Sequence, residues 1–110
     1  MSVSGLFFMA KQRWYSPNTY DRNYKMPPQE SGVYCIKFYE YFSQTSNVVY
    51  VGSSTNLFAR YKSHELFKKL RERNDGLYSF YWKEVKHGWY DTEISLMKKL
   101  RPKYNKQHNG

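Results

Sequence analysis

The spacing of apolar and polar positions changes near residue 30. Residues 1–31 mix aromatic, charged and turn-forming residues without a clear period, so we expect an irregular, aromatic and basic N-terminal arm there. Residues 32–39 and 48–52 are rich in aromatic and β-branched residues, which predicts two short strands. Residues 40–47 between them are mostly polar and predict a turn or loop, so the strands should form an antiparallel hairpin.

Two helices and a third strand are predicted after the hairpin. The hydroxyl residues 53–55 can cap a helix that runs to about residue 72. Residues 77–85 predict a third strand, and residues 89–100 predict a second helix. The order β-β-α-β-α implies an α+β fold in which a small three-stranded antiparallel sheet is flanked by helices.

Length and composition fit one domain, over residues 32–110, behind the arm. The chain has 110 residues, of which 40% are hydrophobic, so it can bury a thin core. The arm either packs on this domain or becomes ordered only on nucleic acid, and the sequence leaves both open. The single cysteine, Cys35, excludes an internal disulfide, and with the three histidines it gives no zinc-ligand spacing.

The chain shows no signal for a membrane. No apolar stretch approaches the roughly 20 residues that a spanning helix needs, and the start of the chain lacks a basic leader. These features and the lone cysteine favour a reducing, cytoplasmic setting.

The net charge of +9 indicates a polyanionic partner. Charge alone does not distinguish DNA from RNA, and an anionic membrane surface would also attract the protein.

One carboxylate stands out on the second predicted helix. Glu93, Leu96, Met97 and Leu100 are spaced so that they share one helix face. Three of them are apolar, which places Glu93 at the end of a buried stripe, where an unpaired carboxylate costs several kcal/mol. A divalent metal ion would offset this cost. The alternative is an exposed glutamate that complements the helix dipole.

Arg60 and His64 lie four residues apart on the first predicted helix, so both should point the same way. Arg60 offers a planar fork of donors to a phosphate, and His64 can donate to or accept from an oxygen at neutral pH. The alternative is a solvated basic face. Further cations on this helix are assigned to general phosphate attraction: Lys62, Lys68, Lys69, Arg71 and Arg73.

The order and spacing of these pieces resemble a known family. The tripeptides 32–34 (Gly-Val-Tyr) and 50–52 (Tyr-Val-Gly) resemble the two signatures of GIY-YIG nucleases, with Val in place of Ile. Arg60 and His64 follow at the family's distances, and Glu93 followed by Pro-Lys-Tyr-Asn at residues 102–105 looks like its closing motif. That motif is most similar to the nuclease domain at the amino terminus of the bacterial excision-repair incision subunit, and to small stand-alone relatives.

The resemblance implies a metal-dependent DNA endonuclease that hydrolyses phosphodiester bonds. Glu93 would hold one Mg²⁺ or Mn²⁺, and Arg60 would bind the scissile phosphate. Tyr34 would act as general base, with Tyr50 and His64 orienting the water or assisting the proton transfer.

The resemblance also implies residues that activate Tyr34, that position the site or that contact the nucleic acid. Free tyrosine has a pKa of about 10, so Tyr34 would need activation by Arg60, Lys37 or the metal-bound phosphate. Gly52 would permit close backbone approach where the helix begins, and Asn105 is either a hydrogen-bonding residue that positions the site or a plain turn residue. The implied positioning residues are Gly32, Gly52 and Asn105, and the implied nucleic-acid contacts are Lys37, Lys62, Lys68 and Lys69.

The implied partner is DNA, double-stranded or branched, with no membrane partner and no small-molecule cofactor. The alternative is a non-catalytic nucleic-acid-binding or accessory domain with the same fold. It explains the charge and the aromatic residues equally well, but not why all five candidate active-site residues are present. Repair, restriction, homing and phage defence all use this kind of domain. High sequence specificity would have to come from the arm, the loops, a homodimer or a protein partner.

Overall fold

One antiparallel sheet organises residues 13–105, the part of the chain that the computed structural model describes. Its strands are β1 (Gly32–Glu40), β2 (Thr45–Ser54) and β3 (Gly76–Glu84). The order across the sheet is β2-β1-β3, with β1 antiparallel to both neighbours. The predicted α+β class with a three-stranded antiparallel sheet is therefore confirmed.

Three helices accompany the sheet: α1 (Leu57–Ser63), α2 (Glu65–Arg71) and α3 (Trp89–Leu100). The prediction of one helix up to about residue 72 was wrong, because His64 has an extended backbone that ends α1. Its side chain then starts α2 by accepting a hydrogen bond from the Phe67 amide at 3.2 Å. The element order is thus β-β-α-α-β-α. Among the described residues, no helix is long and apolar enough to cross a bilayer.

The ends of β2 also differ from the sequence prediction. The strand begins at Thr45 rather than Val48, because residues 45–47 are polar and exposed at a sheet edge, where they look like a loop. It continues to Ser54, so the hydroxyl residues 53–55 do not cap the next helix. Asn56 caps α1 instead, since its Oδ1 accepts a hydrogen bond from the Ala59 amide at 3.0 Å.

The two faces of the sheet carry separate cores. Tyr34 and Ile36 of β1 belong to the core that includes Phe67 and Leu70 of α2. Their neighbours Val33 and Cys35 belong to the core that contains Met97 of α3. Side chains alternate between the faces of a strand, so residue parity decides which candidate residues can meet.

The described part of the arm, residues 13–31, packs against β3. Tyr15 and Trp82 exchange two backbone hydrogen bonds, each of 2.8 Å. The Trp82 indole also donates to the Lys25 carbonyl at 3.2 Å, and the Tyr81 hydroxyl donates to Asp21 at 2.9 Å. This part of the arm therefore packs on the domain. Residues 1–12 of the predicted arm and residues 106–110 of the predicted domain lie outside the described residues.

Candidate functional site

Tyr34 and Tyr50 lie together on the face of the sheet that α1 and α2 cover. Their rings are stacked, with centroids 6.1 Å apart. The register pairs Tyr50 with Ile36 and Tyr34 with Gly52, so the two tyrosines are diagonal rather than direct cross-strand neighbours. Tyr34 is buried, with 1% of its surface exposed, and its ring also stacks on Phe80 at 5.0 Å.

The two candidate positioning glycines are both sites of close packing. A Cβ at residue 52 would overlap the hydroxyl end of the Tyr34 ring, so Gly52 makes room for that side chain. This differs from the expected role at the helix entry, because Gly52 lies within β2. A Cβ at Gly32 would overlap the Lys83 carbonyl oxygen and the Leu57 side chain. Leu57 is the buried residue of α1, so Gly32 allows α1 to pack closely on the sheet.

Arg60 reaches the tyrosines from α1. Its Nε donates a hydrogen bond to the Tyr34 hydroxyl at 3.0 Å. Burial raises the pKa of Tyr34 well above its ordinary value, and the neighbouring Tyr50 raises it further, while Arg60 partly opposes both. The Tyr34 phenol is therefore protonated at neutral pH in the free protein.

His64 completes the cluster from the junction between α1 and α2. Only 2% of its surface is exposed, and its ring stands edge-on to Tyr34 and Tyr50, with centroid distances of 5.4 and 5.0 Å. Burial, aided by the positive charge of Arg60, lowers the pKa of His64 to about 4. The imidazole is thus neutral at pH 7. Since Nδ1 accepts the Phe67 amide hydrogen, the proton is assigned to Nε2.

The Nε2 atom of His64 is buried and has no hydrogen-bond partner among the described residues. A buried donor left unpaired costs about 1–3 kcal/mol. An oxygen of a bound ligand or water would recover this cost. The sequence predicted that His64 acts beside Arg60, but not its burial, because the surrounding residues 62–69 are mostly charged or polar.

Glu93 lies on the other side of the sheet, in the layer that α3 forms. It lies in the first half of α3, is half-buried, and accepts a hydrogen bond at Oε1 from the Ser53 hydroxyl. It is therefore not part of the contact cluster that Tyr34 and Arg60 form. The predicted buried stripe holds at Met97, but the prediction of Leu100 as a core residue was wrong, since it is 43% exposed in the last turn of α3.

The surroundings of Glu93 limit the metal that it can hold. Among residues 13–105, no group of three or more His, Cys, Asp or Glu side chains comes together as a metal site. A single carboxylate beside a hydroxyl still suits Mg²⁺, which keeps several waters and takes substrate phosphate oxygens as ligands. Glu93 and Ser53 thus fit a metal completed by water and phosphate. The sequence reasoning missed Ser53, which the full extent of β2 would have placed on the α3 face.

Lys37 lies on the wrong face to act on Tyr34. Its ammonium lies over the Tyr81 ring, 4.8 Å from the centroid, on the face that α3 covers. The prediction that Lys37 activates Tyr34 is therefore wrong, because three steps along a strand reverse the direction of the side chain. The other candidate phosphate contacts are exposed on α1 and α2: Lys62, Lys68 and Lys69.

Asn105 holds the strand that carries the second tripeptide. It is 1% exposed, its Oδ1 accepts from the Val51 amide, and its Nδ2 donates to the Val51 carbonyl, both at 2.8 Å. Val51 lies between Tyr50 and Gly52 in the edge strand β2, whose outer side is bonded here by Tyr104 and Asn105. Asn105 therefore fixes the backbone from which Tyr50 projects.

Four of the five candidate active-site residues thus form one cluster, in which Tyr34 and His64 are buried and Tyr50 and Arg60 are half-buried. Glu93 lies in the layer on the other side of the sheet, beside the end of β2. The cluster combines a cation, two phenols and a neutral imidazole with a free donor. Comparisons of the chain with protein-family models, with curated proteins and with solved structures found no significant match.

Proposed function

We propose that this protein is a nuclease of the GIY-YIG type, which hydrolyses phosphodiester bonds in DNA with one divalent metal ion on Glu93. One observation carries the proposal. Tyr34, Tyr50, Arg60 and His64 converge in one cluster, in which Tyr34 and His64 are buried and the Nε2 atom of His64 has no partner among the described residues. Such a cluster costs stability, which a role in binding a phosphate and a water explains.

Arg60 is the group that recognises the phosphate. Its Nε bond to the Tyr34 hydroxyl orients the guanidinium, and the terminal nitrogens of a guanidinium match two phosphate oxygens. The same charge stabilises the negative charge that develops as the phosphodiester is attacked.

His64 acts as a hydrogen-bond donor in this proposal. Its Nδ1 is occupied by the Phe67 amide, so the neutral ring offers only the Nε2 hydrogen to a phosphate oxygen or to the attacking water. A role as general base does not fit this tautomer.

Tyr34 is the proposed general base, provided that its phenol first loses its proton. Because burial keeps its phenol protonated in the free protein, the proton must leave when substrate is bound. Arg60 favours the phenolate through its positive charge, and the proton is released to solvent by way of Tyr50, which is only half-buried.

Glu93 supplies the metal-binding carboxylate, and Ser53 holds one of its oxygens in place. A divalent ion bound there would act as a Lewis acid towards the scissile phosphate and the leaving oxygen. Hard oxygen donors and a single carboxylate favour Mg²⁺ or Mn²⁺ over softer metals.

A second candidate function is a nucleic-acid-binding domain that does not cut. It is favoured by the position of Glu93, whose carboxylate is engaged by Ser53 outside the tyrosine cluster. Both candidates account for the net charge of +9, and both predict binding that weakens steeply with salt as counterions are released.

A cleavage assay separates the two candidates. Purified protein is incubated with supercoiled, branched and single-stranded DNA and with RNA, in Mg²⁺, in Mn²⁺ or in chelator. Glu93→Gln and Arg60→Ala should each cut at least about a hundredfold more slowly, whereas the matched control Glu84→Gln, at an exposed position on β3, should cut like the wild type. If the wild type cuts nothing, the nuclease proposal is overturned in favour of the binding domain. If Glu93→Gln cuts as well as the wild type, cleavage does not use a metal on Glu93, and the proposed mechanism is overturned.

A further inference from the structure

A second concave site lies on the face of the sheet opposite the tyrosine cluster. A cleft of about 940 Å³ opens between the sheet, α3 and the part of the arm around residues 13–23. Apolar side chains from three elements line its interior, including Val48, Val51 and Leu96. A cleft of this size can enclose a ligand about as large as a nucleotide.

Positive charge dominates the lining of this cleft. Asp21 is the one carboxylate among the described lining residues, and it accepts a hydrogen bond from the Tyr81 hydroxyl at 2.9 Å. Four exposed cations line the same space, and within residues 13–105 none of them forms an ion pair: Arg13, Arg22, Lys37 and Lys99. A concave surface lined by one sign of charge concentrates ions of the other sign, so the ligand is an anion.

Two aromatic rings, Trp14 and Tyr81, stand in the wall of the cleft. The Lys37 ammonium lies over Tyr81, 4.8 Å from the ring centroid. Rings that lie beside cations are the arrangement with which proteins bind single-stranded nucleic acid, because bases stack on the rings while phosphates meet the charges. Lys37 is exposed and can leave the ring to meet a phosphate.

We propose that this cleft binds a single-stranded segment of nucleic acid, with phosphates on the four cations and a base against Trp14 or Tyr81. The proposal rests on the proposed function for the class of partner. A duplex hides the faces of its bases in its own stack, so the rings in this cleft favour an unpaired strand. The proposal therefore predicts a substrate with an unpaired strand, such as a branched DNA in which a single strand leaves a duplex.

Binding of a single strand tests the cleft directly. A fluorescent oligothymidylate of about ten nucleotides is titrated in chelator, with Glu93→Gln in every protein so that nothing is cut. The double variant Lys37→Glu/Lys99→Glu should bind at least about tenfold more weakly. The matched control Lys86→Glu/Lys98→Glu changes the charge equally at exposed positions outside the cleft, one of them next to Lys99, and should lose less than about threefold.

Equal losses in the two double variants would show that binding follows net charge, and would overturn the proposal. An unchanged affinity in the cleft variant would do the same. A second measurement uses the wild-type cleft sequence and therefore does not depend on the folding of a variant. An oligonucleotide with 5-iodouracil is photocrosslinked, and the adduct is located by mass spectrometry. Adducts at Trp14 or Tyr81 support the cleft, whereas adducts confined to exposed aromatic residues elsewhere, such as Tyr20 or Phe42, overturn it.

The two proposals fail separately. A protein that cuts no DNA but still crosslinks a strand at Trp14 or Tyr81 overturns the nuclease and keeps the cleft. A protein that cuts DNA in a Glu93-dependent way, while both double variants bind the single strand like the parent, keeps the nuclease and overturns the cleft.

Discussion

Tyr34 and Gly52 face each other across the β1–β2 pair, and the phenol ring of Tyr34 fills the space that any side chain at residue 52 would need. The same phenol accepts the hydrogen bond from Arg60 and contacts the His64 ring. The glycine of the second tripeptide and the tyrosine of the first are therefore one packing unit. A change at either residue moves the hydroxyl on which the proposed chemistry depends.

Gly52→Ala should lower the free energy of unfolding by about 1–3 kcal/mol, because the added methyl overlaps the Tyr34 ring. Denaturation in urea measures this loss. In a Tyr34→Ala background the overlap is absent, so the same change should be neutral or slightly stabilising, as alanine is in a strand relative to glycine. An equal loss in both backgrounds would show that the ring is not what residue 52 accommodates.

Stability should fall in mild acid because of His64. Free histidine has a pKa of about 6.5, and the buried ring has a pKa of about 4. Between these values the unfolded chain binds a proton that the folded chain rejects. The free energy of unfolding therefore decreases by up to about 3 kcal/mol as the pH falls from about 7 to about 4, and this contribution is fully present above about 7.

The variant His64→Asn isolates this effect, since asparagine can still accept the Phe67 amide hydrogen but does not titrate in this range. Urea midpoints measured across the same pH range should fall less steeply for the variant than for the wild type. The exposed His87 is present in both proteins and cancels in the comparison. Parallel curves would mean that His64 is not protonated on unfolding.

Ser53→Ala should weaken the response of cleavage to Mg²⁺, because Ser53 orients the Glu93 carboxylate. Partners that orient a metal ligand are worth about 10–100-fold in metal affinity, so the half-saturating Mg²⁺ concentration should rise by about tenfold. Ser53→Thr keeps the hydroxyl and should restore most of the response. A rate at saturating Mg²⁺ that falls while the half-saturating concentration stays constant would contradict a role through Glu93.

Local patterns predicted the elements that depend on near neighbours. The bounds of α3 and the presence of the hairpin and the third strand follow from apolar spacing and from the Asn-Asp-Gly turn at residues 74–76. The break at His64 could not be read this way, because it depends on one side chain accepting a hydrogen bond from a backbone amide within a run of good helix formers. The four-residue spacing predicted that Arg60 and His64 point the same way, and both do reach Tyr34. The prediction assumed one continuous helix, whereas His64 lies at the junction between two helices.

Relations between layers were harder to predict. Strand parity alone separates Lys37 from Tyr34, so that error was avoidable from the sequence. The bond between Ser53 and Glu93 joins residues 40 positions apart in the chain, and it depends on the packing of α3 against the sheet. The cleft around Trp14 and Tyr81 likewise requires the path of the arm, which shows no periodicity in the sequence.

Asn105→Ala should lower the free energy of unfolding by about 2–4 kcal/mol, because it removes both hydrogen bonds to Val51 and leaves an amide and a carbonyl unpaired at a buried position. Asn47→Ala, at an exposed position of the same strand, should cost less than about 0.5 kcal/mol. Hydrogen exchange provides a local measurement. Since Asn105 Oδ1 is the acceptor for the Val51 amide on the outer side of β2, that amide should exchange faster in Asn105→Ala by more than global destabilisation explains. Unchanged protection at Val51 after correction for the global change would show that β2 needs no partner at this edge, and that Asn105 does not position Tyr50.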